Sequence, residues 1–327
     1  IHKENVEDRL IKSITYQKGN DDSQEVIHGD FFFDCVNEST ITTINTTNKA
    51  NITDELTVIN SPINKMFTVE INNPFSTSVL KIFSLAMADV LTAFSFGFAK
   101  LSRLQNTAIL QCYYHENSTI NVETVLKELS IYGISLDKKE IYIEDASQYL
   151  VTEPWQKNTI LLGNARATFV PIINDFLDFL HQDIELWLSN FPSRNHSNVL
   201  VQYYNEKSLA SYLSQYDFLQ AHYELSQWRK DDFWQSHLFS NSSSLKHLLE
   251  MFQQTGTMPQ YEGQTVDEKK WRAFLMGFEC IPQYYDPLID IENKDVIEKK
   301  LSSLHRHIEQ FLNKLPSYNV YLEHKGM

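Results

Sequence analysis

The sequence predicts an α+β fold, with a β-rich half over residues 1–165 packed on a helical lobe over residues 166–327. Two textures and one proportion lead to it. Before Gly163, short β-branched or aromatic runs alternate with Asn, Asp and Ser clusters, the pattern of strands and turns. After Gly163, apolar residues recur at helical spacing between clear breakers. Hydrophobic residues make up 42 % of the 327, enough to bury a sizeable core and to exclude a disordered tail.

In the first half, residues 11–16, 25–35, 41–47, 56–60 and 66–71 read as strands. Two more, 92–99 and 107–114, are joined through LSRLQN as a hairpin connection. Residues 122–132 carry Val122, Val125, Leu126, Leu129 and Ile131 at helical spacing behind Asn121, whose side chain suits an N-cap. Strands at 139–144 and 158–162 complete this half. The second half opens with a strongly apolar helix over 169–187 that stops before Asn190-Phe191-Pro192. Helices over 199–226, 245–252, 266–277 and 296–315 follow, and Pro316 closes the last.

Composition removes several functions. The formal net charge is −14, from 28 Lys+Arg against 42 Asp+Glu, which argues against nucleic acid and anionic membranes as partners. Residues 82–99 are the most apolar stretch, but Asp89 within it and Lys81 and Lys100 beside it favour buried core over a membrane span. Cys35, Cys112 and Cys280 are few and far apart, which suits a reducing compartment, and a cytoplasmic location is expected. Only 9 glycines are present, no two closer than seven positions. No GxGxxG, GxxxxGK or GxSxG can therefore occur, which excludes dinucleotide loops, P-loops and hydrolase elbows within this sequence.

The remaining chemistry is sparse. His305 and His307 are the one close histidine pair, and two residues apart on a helix they face different ways. Without HxxxH, CxxC or DxDxDG, no metal site is expected. Cys35 closes the buried-strand pattern FFFDC and reads as a structural thiol. Asp175 and Asp178 share a face of the 169–187 helix and read as solvated or capping carboxylates rather than an acid–base pair. The aromatics Tyr203-Tyr204, Phe233-Trp234, Tyr261, Trp271 and Tyr284-Tyr285 concentrate in the helical lobe. Core is the usual reading of such residues; a flat apolar pocket for an aromatic ligand is the alternative.

The C-terminal half resembles the flavin-dependent tryptophan halogenases. The segment from Trp271 through Gly277 and Pro282 to Tyr285-Asp286-Pro287-Leu288 and Asp290 is similar to that family's Trp, G-x-G-x-x-P and YDPLAD. Pro316, Tyr321 and Leu322 resemble its tail after the last helix. Trp155, Asn158, Gly163 and Ala165 fit W-x-x-N-x-V-x-L-G-x-A, and residues 201–205 resemble the helix that follows. Gly29-Asp30 and Asp34-Cys35 fit GD-x-x-x-DCSG. The resemblance implies a flavin-monooxygenase-like fold, α/β in its FAD-binding domain. Residues 1–165 would be an incomplete, β-rich part of that domain and 166–327 a substrate-type lobe. It implies FAD as the family's cofactor, with Gly163, Ala165 and Pro171 at its contacts. It also implies an aromatic small molecule stacked on Trp271, with Tyr261, Phe233 and Trp234 nearby. Family enzymes use reduced FAD and halide to make hypohalous acid, which reaches an indole beside a Lys and a Glu.

The departures are specific. The family's GxGxxG and catalytic Lys lie upstream of the matched region and are not in this sequence. Val36-Asn37 stand where DCSG brings a Gly close to flavin. Phe94 and Phe96 replace both Trp of W-x-W-x-I-P. Against G-x-A-x-G-F-x-E-P-x-E-S-T, Ala167 replaces the second Gly, the catalytic Glu falls on Ile173, and the halide-binding Ser-Thr falls on Asn174-Asp175. Ile accepts no proton, and a carboxylate at 175 repels halide. No catalytic residue is retained, which argues against FAD binding and halogenation by this chain alone. The resulting reading is a halogenase-like protein that keeps an aromatic-lined pocket for an indole-like ligand or a partner. Two others stay open. One is part of an active FADH2-dependent halogenase whose FAD-binding segment lies in an N-terminal region outside this sequence or in a second subunit. The other is a structural or interaction protein with no ligand.

Overall fold

A computed structural model describes residues 3–7, 10–17, 24–35, 56–58, 62–72, 90–104, 107–117, 119–132, 134, 136, 141–146, 148–170, 172, 176–192, 198–226, 230–235, 242–261, 263–316, 320, 321 and 324. The strand expected at 41–47 and residues 82–89 of the apolar stretch lie outside these residues. In chain order the strands are β1 (Lys3–Glu7), β2 (Leu10–Gln17), β3 (Gln24–His28), β4 (Phe32–Asp34), β5 (Leu56–Val58), β6 (Lys65–Asn72) and β7 (Val90–Phe94). Then come β8 (Gly97–Arg103), β9 (Thr107–Tyr114), β10 (Tyr142–Asp145), β11 (Tyr149–Val151), β12 (Trp155–Gln156), β13 (Thr159–Leu161) and β14 (Ala167–Thr168). The helices are α1 (Val122–Ile131), α2 (Phe176–Ser189), α3 (Asn198–Glu224), α4 (Ser243–Thr255), α5 (Glu268–Gly277) and α6 (Lys294–Leu312). They form two units, each drawn from separate stretches: 1–65, 145–241 and 260–267, and 66–144, 242–259 and 268–327. The change of texture near residue 165 falls inside the first unit.

The first unit holds three small sheets, ordered β1-β2-β3, β14-β11-β5 and β12-β13-β4. The run 25–35 is two strands rather than one, because the chain turns at Gly29-Asp30 and β4 joins a different sheet from β3. β4 pairs with β13 in parallel, while β12 and β13 form a hairpin. The hairpin turn is Lys157-Asn158, with Lys157 at φ +54, the left-handed conformation that tight two-residue turns require. The helix expected over 169–187 begins later, at Phe176; Ala167 and Thr168, just before the expected start, pair with Leu150 and Tyr149 in a sheet. Its apolar face meets α3. Trp155, Ile160, Leu162, Trp187 and Tyr204 make one buried cluster, and Leu150, Ala167, Phe179 and Tyr212 another.

The second unit is built on a five-stranded sheet, β10-β6-β9-β8-β7. The run 92–99 is not one strand: β7 ends at Phe94 and the chain reverses through Ser95-Phe96 into β8. A distant group fixes that turn, since the Glu128 carboxylate of α1 accepts the Ser95 N–H at 2.9 Å and also its hydroxyl. Gly97 completes it at φ +148, where a Cβ would lie 2.3 Å from the Tyr113 carbonyl oxygen. Asn121 caps α1 as the sequence predicts, its side chain accepting the N–H groups of Glu123 and Thr124 at 3.0 Å each. Gly256 ends α4 at φ +70.

The end of α5 departs from the usual rule. Cys280 N–H donates to the Leu275 carbonyl at 2.9 Å and Glu279 N–H to Met276 at 3.0 Å, a Schellman closure with Glu279 at φ +58. In the pattern G-x-G-x-x-P this is the position of the second glycine, and here a glutamate holds a left-handed conformation that favours Gly. Replacing Glu279 by Gly should therefore stabilise the protein by about 0.5–1 kcal/mol, the left-handed penalty less the added chain entropy of glycine. Gly97→Ala should destabilise it by at least ~2 kcal/mol, since both φ and space forbid a side chain. Urea unfolding midpoints of the two variants, moving in opposite directions, check both statements.

Candidate functional site

The segment 162–168 carries the conserved-pattern turn of the resemblance and is the natural place to look. Gly163 at φ +56 opens a 3-10 turn over Gly163–Ala165, which leads into β14. The turn's Ala165 and Arg166 N–H groups donate to the Leu162 and Gly163 carbonyls at 3.2 and 3.0 Å. The Asn164 carbonyl accepts the Tyr149 hydroxyl. Gly163 and Ala165 are both buried.

Beneath this turn lies a charge cluster that the sequence reading does not single out. Arg166 is fully buried, at 0 % exposure, and its guanidinium carbon sits 4.9 Å from the centroid of the Tyr212 ring. Its Nη2 donates to Ser208 Oγ at 3.4 Å, and Ser208 Oγ donates to Asp183 Oδ1 at 2.7 Å. The Tyr212 hydroxyl donates to Asp183 Oδ2 at 2.9 Å. A buried cation and a buried anion are thus joined through one hydroxyl, with cation–π support from Tyr212. Arg166 Nε and Nη1 and the nearby Tyr204 hydroxyl have no partner. Burial lowers the Arg166 pKa, partly opposed by Tyr212, Asp183 and Tyr204. Burial raises that of Asp183 against the opposing effects of Ser208, Arg166 and Tyr212. Burial and the Asp183 charge also push the Tyr204 and Tyr212 hydroxyls up.

The signal for this cluster was present in the spacing. Phe179, Asp183 and Trp187 stand at i, i+4, i+8 on α2, and Tyr204, Ser208 and Tyr212 do so on α3. A carboxylate between two aromatics on an apolar stripe marks burial, whereas Asp178 is exposed on the first turn of α2. Asp175 lies outside the described residues, as do Pro171, Ile173 and Asn174.

The aromatics are distributed over both units. Phe233 and Trp234 belong to the first unit and are buried edge-to-face at 4.9 Å, with Tyr223 6.3 Å from Trp234. Tyr261 is also in the first unit and is 36 % exposed. Its segment is anchored on α3, since Gly263 presses on Ala210 so closely that a Cβ would come within 2.6 Å. Trp271 belongs to the second unit, on α5, buried and edge-to-face on Phe274 at 6.0 Å. Cys35, expected as a buried structural thiol, is exposed: the three-residue β4 ends before it, and of β4 only Phe32 is buried. Among the described residues no cluster of His, Cys, Asp and Glu suits a metal, and no helix is long and apolar enough to cross a membrane.

Whether these residues fit FAD can be tested on the turn itself. A dinucleotide diphosphate needs free backbone N–H groups on a glycine-rich loop. Two N–H groups of the 163–166 turn are engaged internally, and no glycine-rich loop exists in the sequence. The one nearby guanidinium is buried against Tyr212. The described 163–166 turn is therefore not a glycine-rich diphosphate cradle.

The described architecture is that of flavin-dependent halogenases. BrvH, a flavin-dependent halogenase from Brevundimonas sp. BAL3, superposes with a TM-score of 0.83 at 18 % identity, over 99 % of this chain and 63 % of that one. Xcc4156, a flavin-dependent halogenase from Xanthomonas campestris, gives 0.82 at 18 % identity, over 99 % and 63 %. The tryptophan 6-halogenase SttH from Streptomyces toxytricini gives 0.79 at 16 % identity, over 99 % and 62 %. The chain therefore spans less than two thirds of the length of these relatives. The family model for tryptophan halogenases matches residues 116–294, more than half of the sequence, and the chain belongs to that family. No curated protein matches it in sequence.

The Arg166 cluster yields a stability test. Arg166→Met leaves the Asp183 carboxylate buried without its cation and should cost about 3–5 kcal/mol at pH 7. The folded pKa of Asp183 is raised above the unfolded value near ~3.9, so its contribution is fully present below that value and declines as pH rises through the folded pKa. The loss in Arg166→Met should accordingly shrink as pH falls toward 4, and Arg166→Met/Asp183→Asn should regain part of it at pH 7. Urea midpoints across pH 4–7 measure all three.

Proposed function

We propose that this chain is a halogenase-like protein that does not halogenate on its own and that binds an indole-like aromatic ligand. The observation that supports the first part is local. Gly163 holds a left-handed turn, and in the alignment that the resemblance implies Ile173 stands for the Glu and Asn174-Asp175 for the Ser-Thr. Positioned acid–base help is worth about 10²–10⁴ in rate, and isoleucine supplies none. The described 163–166 turn lacks the glycine-rich cradle that the diphosphate of FAD needs.

The ligand part rests on the aromatics. Tyr261 offers a half-exposed ring on a segment held rigidly to α3. Trp271 matches the Trp that the resemblance implies at the substrate, and Phe233 and Trp234 are the further ring partners that it implies. All three are held by aromatic neighbours, and rings already fixed lose little freedom on binding.

A second reading is favoured by β4. It has a parallel partner on one side and, among the described residues, no strand on the other. Parallel strands belong to larger sheets covered on both faces. That supports a chain that is one part of an FADH2-dependent halogenase assembly, with the FAD-binding segment in another region or subunit.

The purified chain, supplied with FAD, NADH, a flavin reductase, bromide and tryptophan, should yield no brominated product by mass spectrometry. Titration should show no stoichiometric FAD quenching. Calorimetry with indole and L-tryptophan should give heat that Tyr261→Ala or the core-filling Trp271→Phe weakens roughly two- to twelve-fold, the worth of one aromatic pair at about 0.5–1.5 kcal/mol. Brominated tryptophan from the chain alone would overturn the first part. Absence of heat with every indole would overturn the second.

A further inference from the structure

The Arg166 cluster holds more hydrogen-bond donors than acceptors. A guanidinium presents its donors in a fixed fork and accepts nothing. Among the described residues one side-chain hydrogen bond uses that fork, from Nη2 to Ser208 Oγ at 3.4 Å. Nε and Nη1 are buried without an acceptor, and the Tyr204 hydroxyl is buried without a partner. That hydroxyl is close enough to feel the charges of both Asp183 and Arg166. Arg166 and Tyr204 are both at 0 % exposure, so bulk water does not reach them. Buried donors left unmatched are costly, and here they gather on one cation locked by Tyr212 and Ser208.

The acceptor that fits these donors is negative and small. A water brings as many donors as acceptors and leaves the surplus standing, whereas an anion brings acceptors alone. The carboxylate of the cluster is already engaged, since Asp183 accepts from Ser208 Oγ at 2.7 Å and from the Tyr212 hydroxyl at 2.9 Å. With neither Arg166 nor Tyr204 reaching the surface, a ligand has to be enclosed whole, which favours a small ion over an organic acid. Charge sets the condition for entry. Arg166 and ionised Asp183 cancel, so an anion by itself would add an uncompensated negative charge to the interior. A proton from solvent, carried on Asp183, restores the balance. The groups that face Asp183 are the Arg166 guanidinium from the turn and the Ser208, Tyr212 and Tyr204 hydroxyls from α3. Burial already favours the neutral carboxyl. Once protonated, Asp183 donates to Ser208 Oγ, and the Ser208 hydrogen is released to the anion.

We propose that Arg166, Tyr204 and Ser208 form a buried site for one small monovalent inorganic anion, taken up together with one proton that Asp183 holds. The anion ties the 163–165 turn to α3 and so strengthens the first unit as pH falls. The pattern G-x-A-x-G leaves residue 166 free, so the site belongs to this chain rather than to the shared pattern. It uses none of residues 173–175 and none of Phe233, Trp234, Tyr261 or Trp271. Flavin and indole titrations therefore neither support nor overturn it.

Chloride is the probe, exchanged for gluconate at constant ionic strength because gluconate is too large to be enclosed. The thermal midpoint of the wild-type protein should rise with chloride. Linkage of one proton to one anion makes the chloride affinity fall about ten-fold for each pH unit above the folded pKa of Asp183. In weakly buffered solution, chloride should draw nearly one proton per bound ion, read on a pH-stat, and gluconate none. Tyr204→Phe keeps the ring, removes one donor, and should need at least about three-fold more chloride for the same rise. Asp183→Asn should bind chloride with no proton uptake and with the same affinity at pH 5 and pH 8. Equal wild-type midpoints in chloride and gluconate at pH 5 would overturn the proposal and leave water as the acceptor. A chloride effect identical in wild type and Tyr204→Phe would overturn it too, being salt acting at the surface. Chloride bound without proton uptake would overturn the coupling to Asp183.

Discussion

A guanidinium withdrawn from water must be held from several sides, and in the first unit that requirement ties together elements far apart in sequence. Arg166 leaves the 163–165 turn and reaches α3 through the Tyr212 ring and Ser208, while Ser208 and Tyr212 both bind Asp183 of α2. One cluster therefore fixes the relative register of the turn, α2 and α3. Sliding either helix by one turn would leave a desolvated charge without its counterpart, which is far more costly than a displaced apolar contact. The aromatic packing on either side, Phe179 with Tyr212 at 4.7 Å and Trp155 with Tyr204 at 5.5 Å, gains its specificity from that register rather than producing it.

Periodicity made the regular elements legible. β9 spans 107–114 as the alternation implies, and α1 starts behind Asn121 because the cap is a local interaction written in adjacent residues. The misread elements share a different cause: their boundaries are set by distant partners. Glu128 makes a turn inside what reads as one strand at 92–99, and Asp30 sits where the run 25–35 breaks into two strands of different sheets. The same holds for the site. The Gly163 turn is visible as a motif, but the cluster beneath it exists only because α2 and α3 bring their aromatic stripes together. Asp183 could have been found by asking why a carboxylate interrupts the apolar face between Phe179 and Trp187.

Two positions show what the family fold demands of this chain. Gly163 keeps its left-handed turn, and Glu279 adopts one at φ +58 although it is not glycine. At both, hydrogen bonds close around the backbone, the 3-10 turn in one case and the Schellman closure of α5 in the other. Backbone conformation is thus enforced by packing and hydrogen bonding on all sides, and it persists even where the residue has become unfavourable by about 1 kcal/mol. Side-chain chemistry has no such enforcement, because exchanging one side chain for another can leave the backbone hydrogen bonds and the packing of a fold intact. A chain can therefore hold the halogenase architecture closely while its reactive groups drift. The depth of the structural match is then evidence about what packing requires, and the function has to be argued from the few side chains that chemistry requires.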